Sequence, residues 1–236
     1  MPESDDPPTG LEEMLLCLTA ATGLIDAVCY LGMGHVLVAN MTGNVVFLGL
    51  ALAGAKGFTI SSFLVALVSF LGGAIVGGRV GVALGRRRGR WLPTAFALQA
   101  GLAVVAASVV AAGGLGPTGT ARLGVIALLA IGTGVQNSTI RRLAMPDMTT
   151  SVLTMTLTGL AADSTLAGGT HPRQARRLKS VGAMLIGAVG GGALIVHAGF
   201  TTTLGVLAGV LLLVTLGAAV IEAPWFARPG PGRASH

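Results

Sequence analysis

Asp26 is the residue of this chain most able to do chemistry, because it lies deep in an apolar run where a carboxylate is least at home. On insertion scales such a group costs about 2.5–3.5 kcal/mol unless it is paired or hydrated, so intramembrane acids are read first as functional. The structural alternative is a neutral, hydrogen-bonded Asp that ties broken backbone together. A second set of polar residues follows: Asn40, Thr42 and Asn44 open one short apolar run, and Asp147, Thr149 and Ser151 open another. Asn, Asp, Ser and Thr are the preferred N-cap residues, so these six are expected at the starts of two short helices. Two helix N-termini meeting near a membrane midplane would present unpaired N–H donors to an anion or to the acceptor end of a dipolar solute. With Gln136 and Asn137, these residues form the expected substrate-binding or pathway set.

The two sets belong to an internal duplication. Thr22-Gly23-Leu24-Ile25-Asp26-Ala27 recurs as Thr133-Gly134-Val135-Gln136-Asn137-Ser138, and Asn40-Met41-Thr42-Gly43-Asn44 as Asp147-Met148-Thr149-Thr150-Ser151. Gly73-Ala74-Ile75-Val76-Gly77-Gly78 is echoed in the same order by Gly187-Ala188-Val189-Gly190-Gly191-Gly192. A duplicated membrane unit is the usual ground plan of transporters and channels. The acids trade places between copies. Asp26 aligns with Asn137, and Asn40 with Asp147, which would make an otherwise symmetric pathway directional and suits proton coupling.

The elements that must position these residues are apolar helices. Hydrophobic residues make up 53% of the 236 and charged residues 10%, against roughly a quarter charged in a soluble domain. Six runs are long enough to cross a hydrocarbon core: 12–31, 60–84, 92–113, 121–140, 179–198 and 201–222. The runs 41–54 and 148–162 are too short. A helix of about 14 residues reaches only about 21 Å, and each follows a Gly- or Pro-containing stretch. Short, interrupted segments at matching places in two halves point to a transport site.

Charge orients the chain. With six spans, Arg86 to Arg90, Arg141, Arg142, the cluster Arg173 to Lys179, and Arg228 and Arg233 all face the cytoplasm. With eight, the Arg173–Lys179 cluster would lie outside, against the positive-inside rule. The expected fold is therefore all-α: a polytopic inner-membrane protein with both termini cytoplasmic. It has six spans as a 3+3 inverted repeat, each half carrying a re-entrant or discontinuous half-helix. Residues 1–11 and 223–236 are cytoplasmic tails, 12–113 and 121–222 the two repeats, and 114–120 an outer linker.

Other features are read as structural. Cys17 and Cys29 lack metal or disulfide spacing. His35 reads as an outer-mouth loop residue and His197 as incidental. Gly73 with Gly77, and Gly187 with Gly191, read as close helix contacts. Trp91 and Trp225 read as inner-interface anchors. The net charge of +6 is an orientation signal and not a nucleic-acid surface. Gly114 to Gly119 fits a dinucleotide motif without the strand that motif needs. With no nucleophile–base–orienter set and no clustered ligands, neither an enzyme nor a cofactor or metal is expected.

The runs Thr22 to Ala27, Gly34-His35-Val36 and Ala39-Asn40-Met41-Thr42-Gly43-Asn44 resemble the YoaK-like family of bacterial integral membrane proteins. So do Gly134-Val135-Gln136-Asn137, Pro146-Asp147 and Leu157-Thr158-Gly159-Leu160-Ala161-Ala162-Asp163-Ser164. The resemblance spans nearly everything from Leu11 to Glu222 and implies the membrane class, but that family has no known function and supplies no substrate. The expected function is a small-solute transporter or channel. The alternative is a non-transporting module that binds a lipid or partner protein, marked by a dry interior in which backbone satisfies Asp26. The bilayer is the expected partner, and the glycine-rich spans permit a homo-oligomer.

Overall fold

The computed structural model describes residues 10–84, 90–113, 119–143, 153–169 and 174–225. Among them every regular element is helical: α1 Leu11–Gly32, α2 Met41–Leu52, α3 Ile60–Leu84, α4 Trp91–Gly113, α5 Gly119–Leu143, α6 Leu153–Ala162 and α7 Gln174–Trp225, with a 3₁₀ turn at Thr165–Ala167. Five of these are long and apolar enough to cross a membrane, and α2 and α6 are apolar but short. The chain is a polytopic helical membrane protein.

The last helix exceeds any single crossing. At 52 residues α7 is interrupted by Gly199, whose φ of 83° and ψ of 172° are not helical. Such a conformation is essentially open to glycine alone. The break lies between the two apolar runs expected at 179–198 and 201–222.

Close packing follows the glycines. A Cβ added at Gly73 would run into the backbone of Ile131, and one at Gly77 into Val135, so the backbones of α3 and α5 touch. Likewise a Cβ at Gly187 would meet the backbone of Ala20 and one at Gly191 that of Leu24, which joins α7 to α1. In hydrocarbon, helix association rests on such van der Waals contact, because lipid tails are as apolar as leucine. In both pairs residue numbers rise together, so the partner helices run parallel.

Side-chain locks secure the ends. Glu12, in the first turn of α1, accepts from Lys179 Nζ at 3.0 Å and lies 3.5 Å from Arg176 Nε, so α1 and α7 begin at the same end of the molecule. Arg177 pairs with Asp163 at 2.6 Å and ties α7 to the end of α6. Gly159 leaves room for this pair, since a Cβ there would stand 2.7 Å from the Arg177 Cζ. Trp91 is buried at the start of α4, with Arg142 Cζ 5.8 Å from its ring centre. At the other end, Phe47 of α2 stacks with Phe58 and Phe63 at ring separations of 5.5 and 5.9 Å.

α1 and α5 are the most enclosed helices. The faces of α3 and α7 that carry Val68, Leu71, Val82, Ile186, Val189 and Val196 are open, as befits surfaces in lipid.

Candidate functional site

The chain leaves α1 through a left-handed turn. Met33 N–H donates to Cys29 O at 2.9 Å and His35 N–H to Tyr30 O at 3.1 Å, with φ of 81° at Gly34 and 66° at His35. Residues 35–40 then run without regular structure, and Val36, Val38 and Ala39 are buried. Irregular backbone at membrane depth survives only if its peptide groups find partners, because hydrocarbon offers none.

Side chains from three helices supply those partners. Asp26 Oδ1, on α1, accepts from Val38 N–H and Ala39 N–H, both at 2.9 Å. Asn44, on α2 and fully buried, brackets Leu37: its Oδ1 accepts from Leu37 N–H at 3.0 Å and its Nδ2 donates to Leu37 O. Thr133 Oγ1, on α5, donates to Val38 O. Both polar groups of Leu37 and of Val38 are thus held by side chains.

The expected cap residues divide. Asn40 caps α2 with its side-chain oxygen on Gly43 N–H at 3.4 Å, and Asn40 and Thr42 are exposed at the start of that helix. Asn44 points inward to the broken segment instead. Asp147, Thr149 and Ser151 lie outside the described residues.

Behind the broken segment, the second polar run sits on α5. Asn137 Nδ2 donates to Thr133 O one turn back at 2.9 Å. Gln136 Nε2 donates to Thr22 Oγ1 of α1 at 3.0 Å, and Thr22 in turn donates to Leu18 O at 2.8 Å. Gln99 Nε2, on α4, donates to Gln136 Oε1 at 2.5 Å. This chain of Gln99, Gln136 and Thr22 is almost fully buried and crosses three helices.

Asp26 and Asn44 are therefore brought together on the broken segment, Gln136 is joined to α1 through Thr22, and Asn137 bonds back along α5. Thr22, Thr133 and Gln99 join them without having been singled out for a site. The two threonines were visible as the first residues of the duplicated runs. Gln99 carried a weaker signal, a lone amide inside the apolar run 92–113. His35 lies at the mouth of the broken segment, its ring 4.9 Å from that of Tyr30 and edge-on to it. Cys17 and Cys29 are free thiols. Among the described residues no group of three His, Cys, Asp or Glu could hold a metal.

A bundle of apolar helices with a broken, side-chain-pinned segment at its centre defines an integral membrane protein with a polar interior. The chain belongs to the family described as Protein of unknown function (DUF1275), whose model matches residues 14–217. It is 36% identical over 153 residues to the UPF0700 transmembrane protein YoaK of Bacillus subtilis (strain 168), covering 63% of this chain and 64% of that protein. The matched stretch is thus a little under two thirds of the relative's length. No solved structure matches.

Proposed function

We propose that the protein is a small-solute transporter or channel of the bacterial inner membrane. Its six spans form a 3+3 inverted repeat with both termini cytoplasmic, and α7 supplies two spans either side of Gly199. The duplicated glycine contacts support the repeat. Gly73 meets Ile131 and Gly77 meets Val135; under the sequence alignment these become Gly187 with Ala20 and Gly191 with Leu24, which are in contact too. Gly23 against Met184 and Ala188 likewise becomes Gly134 against Phe70 and Ala74. Partners that exchange in this way are what two halves related by a two-fold axis produce.

The observation that carries the functional reading is the Val38–Ala39 peptide, its N–H held by Asp26 and its carbonyl by Thr133. A discontinuous helix at the junction of two repeats is where such folds bind solute and coupling ion. The solute would meet α2 at its exposed start, Asn40 and Thr42, beside Asp26; Asp147, Thr149 and Ser151 would make the corresponding contribution from the second half.

One observation favours the non-transporting module instead: Asp26 Oδ1 is already occupied by backbone. Among the described residues, however, Oδ2 of Asp26 has no hydrogen bond, so the carboxyl keeps a free acceptor. A proteoliposome uptake screen under proton and ion gradients, comparing wild type with Asp26→Asn, separates the two. We expect substrate-dependent flux that Asp26→Asn reduces; no flux under any gradient would sink the transport reading.

A further inference from the structure

We infer that the Gln99–Gln136–Thr22 chain ends in a binding site for an uncharged, hydrogen-bonding solute, with Gln99 as its contact residue. Gln99 is 4% exposed, and among the described residues its Oε1 is buried with no hydrogen-bond partner. Side-chain hydrogen bonds between membrane helices are common packing devices, and the bond from Gln99 to Gln136 is explained as one. That explanation covers one end of the Gln99 amide and leaves the other unpaired. A buried polar group without a partner is destabilising enough that it requires a reason.

Turning the amides over does not remove the orphan. If both glutamines rotate by a half-turn, Gln136 donates to Gln99, Thr22 turns its hydroxyl from Leu18 O to Gln136 Oε1, and the free end of Gln99 becomes an N–H₂. The Leu18 carbonyl keeps its own helix bond. The relay therefore shows a ligand either an acceptor or a donor, and Thr22 absorbs the difference. Gly132 lets α5 approach the Gln99 stem closely: a Cβ there would stand 3.3 Å from Gln99 Cγ.

The surrounding charge selects the ligand class. The members of the relay, Thr22, Gln99 and Gln136, are all neutral. A bare anion would find no counter-charge on them. A neutral solute carrying both donors and acceptors, such as a polyol or an amide, fits a site that offers either partner.

This inference rests on the transport reading for its consequence but not for its site, and two measurements keep them apart. The first is a structure of the protein in lipid nanodiscs at a resolution that shows water. Density within hydrogen-bond distance of the free end of Gln99 is expected, and a dry end overturns the site. The second is flux of glycerol and urea against chloride and phosphate in proteoliposomes. The wild type is compared with Gln99→Met/Gln136→Met, which removes both amides and leaves Thr22 its bond to Leu18. Glycerol or urea should pass, and the double variant should slow it about tenfold, the loss of roughly one hydrogen bond. Flux of chloride or phosphate alone, or an unimpaired double variant, overturns the inference while leaving transport intact. No flux of any probe sinks the transport reading, and the density at Gln99 then decides the site by itself.

Discussion

Asp26 and Thr133 grip the Val38–Ala39 peptide unit from opposite sides: the carboxyl oxygen of one accepts the N–H of Ala39 and the hydroxyl of the other donates to the carbonyl of Val38. Their helices belong to different halves of the chain. The broken segment is therefore a joint between the halves, and changes at either residue should be felt by both.

Asp26→Ala should destabilise strongly, by about 1–3 kcal/mol for each of the two N–H groups left unpaired. Asp26→Asn should cost less, because its amide oxygen can still accept from Val38 and Ala39. Thermal unfolding of the detergent-solubilised protein measures both. Equal losses in the two variants would show that the charge, and not the acceptor oxygen, holds the segment.

Thr133→Val keeps the shape and removes the donor, so it should cost about 1 kcal/mol, with Thr133→Ser close to wild type. Combined with Asp26→Asn in a double-mutant cycle, the two changes should be non-additive by 0.5 kcal/mol or more, roughly the threshold for residues sharing one network. Strict additivity would mean that Val38 does not couple them.

Neighbouring glycines offer an internal control for the helix contacts. Gly73→Ala should be severely destabilising because its Cβ would enter the Ile131 backbone, whereas nothing lies within 4 Å of a Cβ at Gly72. Gly72→Ala should be neutral or stabilising by about 0.5–1 kcal/mol, the helix preference for Ala over Gly. The same contrast is expected between Gly191→Ala and Gly190→Ala. Melting temperatures that fail to separate the members of each pair would refute parallel close packing.

Orientation is open to labelling. In a background of Cys17→Ala and Cys29→Ala, a cysteine replacing Lys179 should react with impermeant maleimide only after the inner membrane is opened. One replacing His35 should react in intact spheroplasts. Reaction of the Lys179 position from outside would overturn the cytoplasmic placement of the N-terminal end.

The exchange of acids between the duplicated runs has a covalent explanation beside the directional one. The residue aligned with Ala39 is Pro146, which has no N–H. A second bond of the kind Asp26 takes from Ala39 thus has no donor in the other run, and the acceptor aligned with Asp26 is the weaker amide of Asn137.

The membrane class, the positions of the long helices, the two short ones, the interruption at residue 199 and the paired glycine contacts were all legible in the chain. Each depends on local quantities: the length of an apolar run, a cap residue, a residue without a Cβ. The bonds of Asp26 were not legible, because its partners lie 12 and 13 residues further on and reach it only once the chain has turned back. Nor was the place of Gln99, whose amide meets Gln136 across 37 residues and Thr22 through it. Sequence alone determined that polar groups would be buried in lipid. Only the tertiary structure decided which would be consumed by broken backbone and which, at Gln99, would be left with a hydrogen bond to offer, since that depends on which helices cross.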